Sequence, residues 1–579
     1  MATYFYLIYF LVDPILGGVF RRRRREADRM TEDSGVVQMN ELRRIIESFP
    51  MPDCLSDLLD LRAQEHGEAV LAEFFHDDTR LTYAGLSEAS KRLASSLVKI
   101  GVRKGTHVGV FMSNCDRFVV AWFAIARIGA VMVPINFRFK ARELDVALVD
   151  SDVQFLFVDT DSQQVLQELD PLPPLLADGA VIAIDPEEAS GFFGFDDLVE
   201  AGAADFVPPV PVVQSDLLAI QFTSGSTGRP KGCMLTHCYW LTLALVASKQ
   251  RAGQHSAEIK NVLVTYPLFY MQAQIEFLLA LQNGGTAFIA RRPSRRQFMD
   301  WVRRYSIHYC AMNPMVYNGL PVRPDDSENE LKFIAAYFHR GEVLRTLQKR
   351  FNTVGRDAFG MTEAGAVANL PTAATHMLDA GTCGLPSAFR EIRICDPDGN
   401  QVPVGEAGEL CVAGRGMLLG YYKRPKENRE SFHDGRWLRT GDRARVDENG
   451  YVYIVGRIKE MIKRSGENVA AMEVEQVLRA VPGVREVAVV AVPDDARMEE
   501  VRAVVSLKDG HSVDDITPGV LRSHCAKLLA DFKVPRYYSY VEKFPRTGSE
   551  KIDKIRLVGE GAAFGCKTYD SETSQWCEL

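Results

Sequence analysis

A chain of 579 residues is too long for one ordinary core, and its 46% hydrophobic content readily supplies two or more. The net charge of -8 gives no global reason to expect a nucleic-acid partner, and outside the arginines near the N-terminus no local basic patch supplies one. The 11 cysteines form no C-x-x-C pair, and Cys233 and Cys238 stand at a spacing that suits no common zinc site, so reduced thiols in an intracellular compartment are expected.

Residues 1–20 are nearly all apolar and end at Arg21 to Arg25. That length barely suffices for a bilayer span, Asp13 and Pro14 weaken it, and the charge order is wrong for a cleaved signal peptide. Two readings stay open: a membrane anchor or interfacial segment with the body on the cytosolic side, or a leader with no such role. From Arg80 strands and helices alternate. Strands are predicted over 107–112, 131–134 and 155–158, with helices over 118–128 and 141–150, the pattern of a parallel sheet wrapped by helices. Pro208, Pro209 and Pro211 then mark a connection over 200–215.

The apolar run 217–222 opens into Thr223, Ser224, Gly225, Ser226, Thr227, Gly228, Arg229, Pro230, Lys231 and Gly232. Such a strand and loop make a phosphate cradle: glycines leave N–H groups open to an anion, hydroxyls add donors, and Lys231 adds a point charge. The nucleoside-triphosphatase loop requires Gly immediately before its Lys, where this chain has Pro230, so that motif fails. A packing helix over 239–247 follows. Farther along stand Phe359-Gly360-Met361-Thr362-Glu363, Trp437-Leu438-Arg439-Thr440-Gly441-Asp442 and Gly456-Arg457-Ile458-Lys459-Glu460. After Lys459, helices over 471–480 and 520–530 with strands over 487–492 and 503–507 predict a small α+β domain. Pro545 to Lys554 closes it, and 558–579 reads as an untethered tail.

Together these stretches resemble the adenylate-forming superfamily, which includes acyl-CoA synthetases, over about residues 50–557; within it the chain looks most, if loosely, like crotonobetaine/carnitine-CoA ligases. The resemblance implies an α/β fold: a large N-terminal domain of layered, mostly parallel sheets with helices, plus a small mobile α+β C-terminal domain. The expected divisions are an extension over 1–40, the large domain over 41–458, the small lid domain over 459–557 and the tail over 558–579. It also implies that Thr223, Ser224, Gly225, Ser226, Thr227, Gly228 and Lys231 grip ATP phosphates, and that Phe359 packs on adenine. Thr362 would touch the α-phosphate, Glu363 would bind Mg2+, and Asp442 assisted by Arg457 would hold the ribose.

By the same resemblance Lys459 is the hinge, Lys551 reaches carboxylate and α-phosphate, and Tyr270, Phe338, Met361 and Gly466 line the acyl and CoA pocket. Lys554 is the alternative to Lys551. Lys463 and Arg464 could meet CoA phosphates or form an ordinary solvated turn. Three departures stand out: Tyr270 where a histidine is usual, the rewritten segment 335–341, and Glu550 where glycine usually precedes the lysine. The expected activity is ATP-dependent ligation of a carboxylic acid to CoA through acyl-AMP, with ATP, Mg2+ and coenzyme A. The alternatives are an enzyme that loads a separate carrier protein, and an impaired ATP-binding scaffold of the same fold.

Overall fold

The computed structural model describes residues 33–577, apart from 76–77, 178–179, 188–189, 224–229, 313, 338–340, 465–466, 495–496, 530, 548–549 and 560–566. The apolar segment and arginines of 1–25 lie outside these residues. Among the described residues no helix is long and apolar enough to cross a membrane.

Two seven-stranded sheets form the body. The first runs Phe193–Gly194, Ala180–Ala183, Phe155–Val158, His107–Phe111, Val131–Pro134, Leu217–Thr223, Lys231–Thr236. It is parallel except for the last hairpin. The second, equally parallel up to its last pair, runs from Val354–Arg356 through Phe333–Ala335, Tyr309–Ala311, Asn261–Val264, Thr286–Ile289 and Val70–Phe74 to Thr79–Thr82.

Helices Asp116–Ile128, His237–Lys249 and Met271–Asn283 are apolar nearly all round, as helices enclosed on every side must be. One continuous core joins both sheets through them, with Trp122 set edge-on to Trp240 at 5.8 Å between ring centroids. Burying each such side chain is worth on the order of 1.5–3 kcal/mol.

A five-stranded antiparallel sheet follows, in which Trp437–Val446 pairs with Gly408–Gly414, Phe432–His433 and Val452–Arg457. The short turn Ile458–Glu460 then leads into the C-terminal domain. Its sheet centres on Met498–Leu507, flanked by Val484–Asp494 and Tyr537–Tyr540, with helices Ala471–Arg479 and Pro518–Leu528 packed into a separate core.

Two expectations at the ends of the chain need correction. The extension expected to reach residue 40 instead gives way to a helix, Ser34–Glu47, whose cap Asp33 accepts from the N–H groups of Gly35 and Val36. The tail is not untethered: Thr568–Asp570 pairs with Tyr537–Tyr540, and Gln575–Cys577 pairs with Thr568–Asp570. Polar burial fastens it. Thr568 and Ser539 share a hydroxyl contact at 2.9 Å, and Arg536 grips both oxygens of Asp570 at 3.1 and 2.9 Å.

Candidate active site

Thr223 ends the last parallel strand of the first sheet, and its register partner across the hairpin is Lys231. The loop between them therefore springs from the carboxyl end of a parallel strand, where open α/β sheets place ligands. Ser224, Gly225, Ser226, Thr227 and Gly228 lie outside the described residues. At the far side of the hairpin, Lys231 Nζ stands 4.8 Å from the centroid of the Tyr421 ring. The Tyr421 hydroxyl donates to Glu363 Oε1 at 3.0 Å. Lys231 and Glu363 are thus held by one tyrosine.

Phe359 and Met361 lie half-buried on strand Ala358–Met361, which folds back antiparallel onto Gly365–Asn369. The return is tight. A Cβ on Gly360 would fall 2.7 Å from the Gly365 carbonyl oxygen, so only glycine fits there. Thr362 and Glu363 occupy the turn, where the Thr362 carbonyl accepts from the Tyr239 hydroxyl at 2.9 Å and the Glu363 carbonyl accepts from the Leu418 N–H at 2.9 Å. Among the described residues no group of three or more His, Cys, Asp or Glu could hold a metal ion alone. A single carboxylate beside a phosphate cradle suits Mg2+, which keeps waters and takes phosphate oxygens rather than a protein cage.

Asp442 is 3% exposed and lies opposite Arg457 in the ladder, with Arg457 Nε 2.9 Å from its Oδ1. Its Oδ2 is buried without a hydrogen-bond partner. Leaving such an oxygen unmatched costs about 1–3 kcal/mol, and a ribose hydroxyl would satisfy it. Burial pushes the Asp442 carboxyl up to about 6, against the opposing pull of Arg457 and then Lys551.

Lys551 arrives from the other domain. It sits on a tight loop closed by the Thr547 N–H donating to the Lys551 carbonyl at 2.8 Å and anchored by Arg546 on Glu486 at 2.6 Å. The residue keeps open surface, but its ammonium lies in the field of Arg457, Asp442, Glu363 and Glu460. Desolvation pulls its pKa down, Arg457 adds to the drop, and the carboxylates oppose it. Lys554 is committed elsewhere, to Glu475 at 2.9 Å and to Glu460.

Glu550 adopts a left-handed φ of +62°, which accounts for the usual glycine, and its carboxylate pairs with Arg138 of the large domain. Tyr270 lies beside that pair: burial raises its pKa, Arg138 lowers it and Glu550 raises it. Its ring centroid is 4.2 Å from that of Phe269. Lys459 falls in the Ile458–Glu460 turn between the domains. Phe338 and Gly466 lie outside the described residues. Arg464 holds Glu500 at 2.8 Å and donates to the Phe532 carbonyl at 3.1 Å.

Sequence reasoning missed Arg138, Tyr239 and Tyr421, which lack any motif of their own. It also missed a buried polar group formed by Arg251, Glu276, Tyr309 and Tyr337. Arg251 Nη1 donates to the Tyr309 hydroxyl at 2.9 Å and to the Tyr337 hydroxyl.

Comparison with known proteins shows the family. The family described as AMP-binding enzyme matches residues 59–422, and the AMP-binding enzyme C-terminal domain matches 473–551. A feruloyl-CoA synthase from an Amycolatopsis species is 34% identical over 503 residues, covering 85% of this chain and 96% of that protein. A crotonobetaine/carnitine-CoA ligase from Salmonella enteritidis is 30% identical over 493 residues, covering 83% and 93%. The crystal structure of ATP-bound MatB from Rhodopseudomonas palustris, 23% identical, superposes with a TM-score of 0.77 over 87% of this chain and 98% of that one.

Proposed function

Because the chain belongs to the AMP-binding enzyme family and is an AMP-forming acyl-CoA ligase using ATP, Mg2+ and CoA, we propose that the cluster around Asp442 is its adenylation site. The observation that carries this reading is the buried, unmatched Asp442 Oδ2 beside its partner Arg457, within the electrostatic reach of Lys551 from the small domain. Asp442 holds the ribose through its unmatched oxygen while Arg457 fixes the carboxylate. Phe359 faces adenine, and Thr223, Lys231 and the loop between them grip the pyrophosphate end. Mg2+ held at Glu363 would supply charge to the phosphates.

A carboxylate is a poor acyl donor because its oxygen leaves badly. Lys551 draws the carboxylate oxygen and the α-phosphate together, the P–O bond to the acid forms, and pyrophosphate leaves. The work is positioning and electrostatic stabilisation. A thiol then attacks the activated carbonyl and AMP leaves. For that second step we assign a large domain ending at residue 458 and a small one over 459–557 that turn about Lys459, withdrawing Lys551 and advancing Gly466 to the CoA arm.

Pyrophosphate release over a panel of acids tests the assignment. Lys551→Ala is expected to slow adenylation about 10²–10³-fold, the usual loss for one such donor, while thiol transfer from supplied acyl-AMP persists. Unimpaired adenylation would remove Lys551 from its role. Offering CoA beside a phosphopantetheinylated carrier protein decides whether a carrier also serves as acceptor. An intracellular setting agrees with the free cysteines of the described residues. Membrane contact through residues 1–25 rests on their composition alone; equal partitioning of the full chain and one starting at Glu32 would dismiss it.

A further inference from the structure

Resting on that reading, the thiol step depends on how the hairpin formed by Met461–Arg464 and Glu467–Ala470 is carried, since its turn is the part that advances to the CoA arm. Among the described residues this hairpin meets the strand Met498–Leu507 at a single register pair, Arg464 opposite Met498. So little backbone pairing leaves the placement of the turn to side chains. Arg464 supplies the hold: its Nε lies 2.8 Å from Glu500 Oε2, and its Nη1 donates to the Phe532 carbonyl at 3.1 Å. Glu500 is 0% exposed and divides its oxygens, Oε2 going to Arg464 and Oε1 to Arg497. A buried carboxylate depends on its partners, because losing one leaves charge uncompensated.

Arg497 is in turn shared with the end of the chain. Its Nη1 lies 2.6 Å from Oε1 of Glu572, in the turn between Thr568–Asp570 and Gln575–Cys577. The other oxygen of Glu572 is 3.4 Å from Arg536 Nη1, and the Glu572 N–H donates to Asp570 Oδ1 at 2.9 Å, so backbone and side chain are both fixed. Alternating charge therefore runs unbroken from Glu572 through Arg497 and Glu500 to Arg464. It begins beyond residue 551, where the match to the family's C-terminal domain ends, and stops at the residue that opens the CoA-facing turn. None of its members belongs to the adenylation cluster, and the Lys551 loop has its own anchor in Arg546 and Glu486.

We propose that the C-terminal hairpin braces the enzyme for the thiol step, with Glu572 a positioning residue that holds the 464–467 turn in the form that receives CoA. Glu572 keeps Arg497 on one oxygen of Glu500, which reserves the other for Arg464. Without Glu572, Arg497 is free to swing across both oxygens, and Arg464 loses its fixed place. At 34% and 41% side-chain exposure the Arg497–Glu572 pair is partly screened, so its loss acts several-fold rather than by orders of magnitude.

The test separates the half-reactions in single turnovers. Pyrophosphate release without CoA reads adenylation, and mixing preformed enzyme-bound acyl-AMP with CoA reads transfer, with whichever of benzoate, cinnamate, butyrate and octanoate the wild type adenylates fastest. Glu572→Gln is expected to slow transfer or raise the KM for CoA by about three- to tenfold while adenylation stays within about twofold. Arg497→Gln should do the same. Glu572→Gln added to Arg464→Gln should slow transfer no further, because the brace is then already cut at its far end.

A tail that only stabilises the fold lowers the melting temperature and slows both half-reactions alike. That result, transfer unchanged in Glu572→Gln and Arg497→Gln, or full additivity with Arg464→Gln overturns the proposal while the adenylation-site reading stands. Wild-type acyl-AMP that passes nothing to CoA overturns the assignment of the turn to the thiol step and the brace with it. Release of no pyrophosphate with any of these acids overturns the adenylation-site reading as well.

Discussion

Asp442 combines a deep position with a single ion pair, and this sets how nucleotide binding answers to acid. Its carboxyl, raised by burial to about 6, must be ionised to accept from a ribose. ATP affinity is therefore full above about pH 6 and falls as pH drops through that value, by up to about tenfold per unit. Arg457 opposes the rise, so Arg457→Ala should move the fall to higher pH; calorimetric titration of ATP between pH 5 and 8 reads both. An affinity flat over that range would remove Asp442 from the nucleotide site.

The two neighbouring lysines divide differently. Lys554→Ala leaves the buried Glu475 short of a partner and should lower stability by about 1–2 kcal/mol with adenylation retained, whereas Lys551→Ala should do the reverse. Chemical denaturation beside single-turnover adenylation separates them.

At the scale of elements, what the sequence made legible was periodic or contiguous. The strand over 155–158, the helix over 141–150 and the strand over 131–134 appear at the expected residues because each carries an unbroken apolar pattern. The Phe359 hairpin and the Asp442 strand were found because their chemistry needs adjacent backbone. The tail strands escaped notice because Thr568 and Asp570 are buried polar residues, and their partners Ser539 and Arg536 sit 29 and 34 residues upstream. Their contribution is measurable. Ending the chain at Gly559 strips Tyr537–Tyr540 of one neighbour and leaves Arg536 without Asp570, exposing an edge that invites aggregation. Such a truncation should melt several degrees lower and form aggregates on heating, as light scattering would show.

Across the whole molecule, the residues that complete the site were invisible for one physical reason: folding, not local sequence, makes them neighbours. Tyr421 meets Glu363 across 58 positions, and Arg138 meets Glu550 across 412. The Tyr270 and Glu550 departures stand far apart in the sequence; in the fold they come together beside Arg138, at the seam between the domains.

That seam has a kinetic meaning. Arg138 and Glu550 are each about half exposed, 42% and 48%, so their attraction is worth about 0–1 kcal/mol and is screened by salt. If the lid must leave Lys551's post before the thiol can enter, the pair acts as a weak detent on its dwell time. Charge reversal at Arg138 alone should shorten that dwell, and reversal at both positions should restore it, each by no more than about fivefold. Raising salt to 0.5 M should mimic the single reversal. Rapid-quench ratios of acyl-AMP to acyl-CoA would read out the partition, so the ionic strength around the enzyme becomes a throttle on how long an activated acid waits for its acceptor.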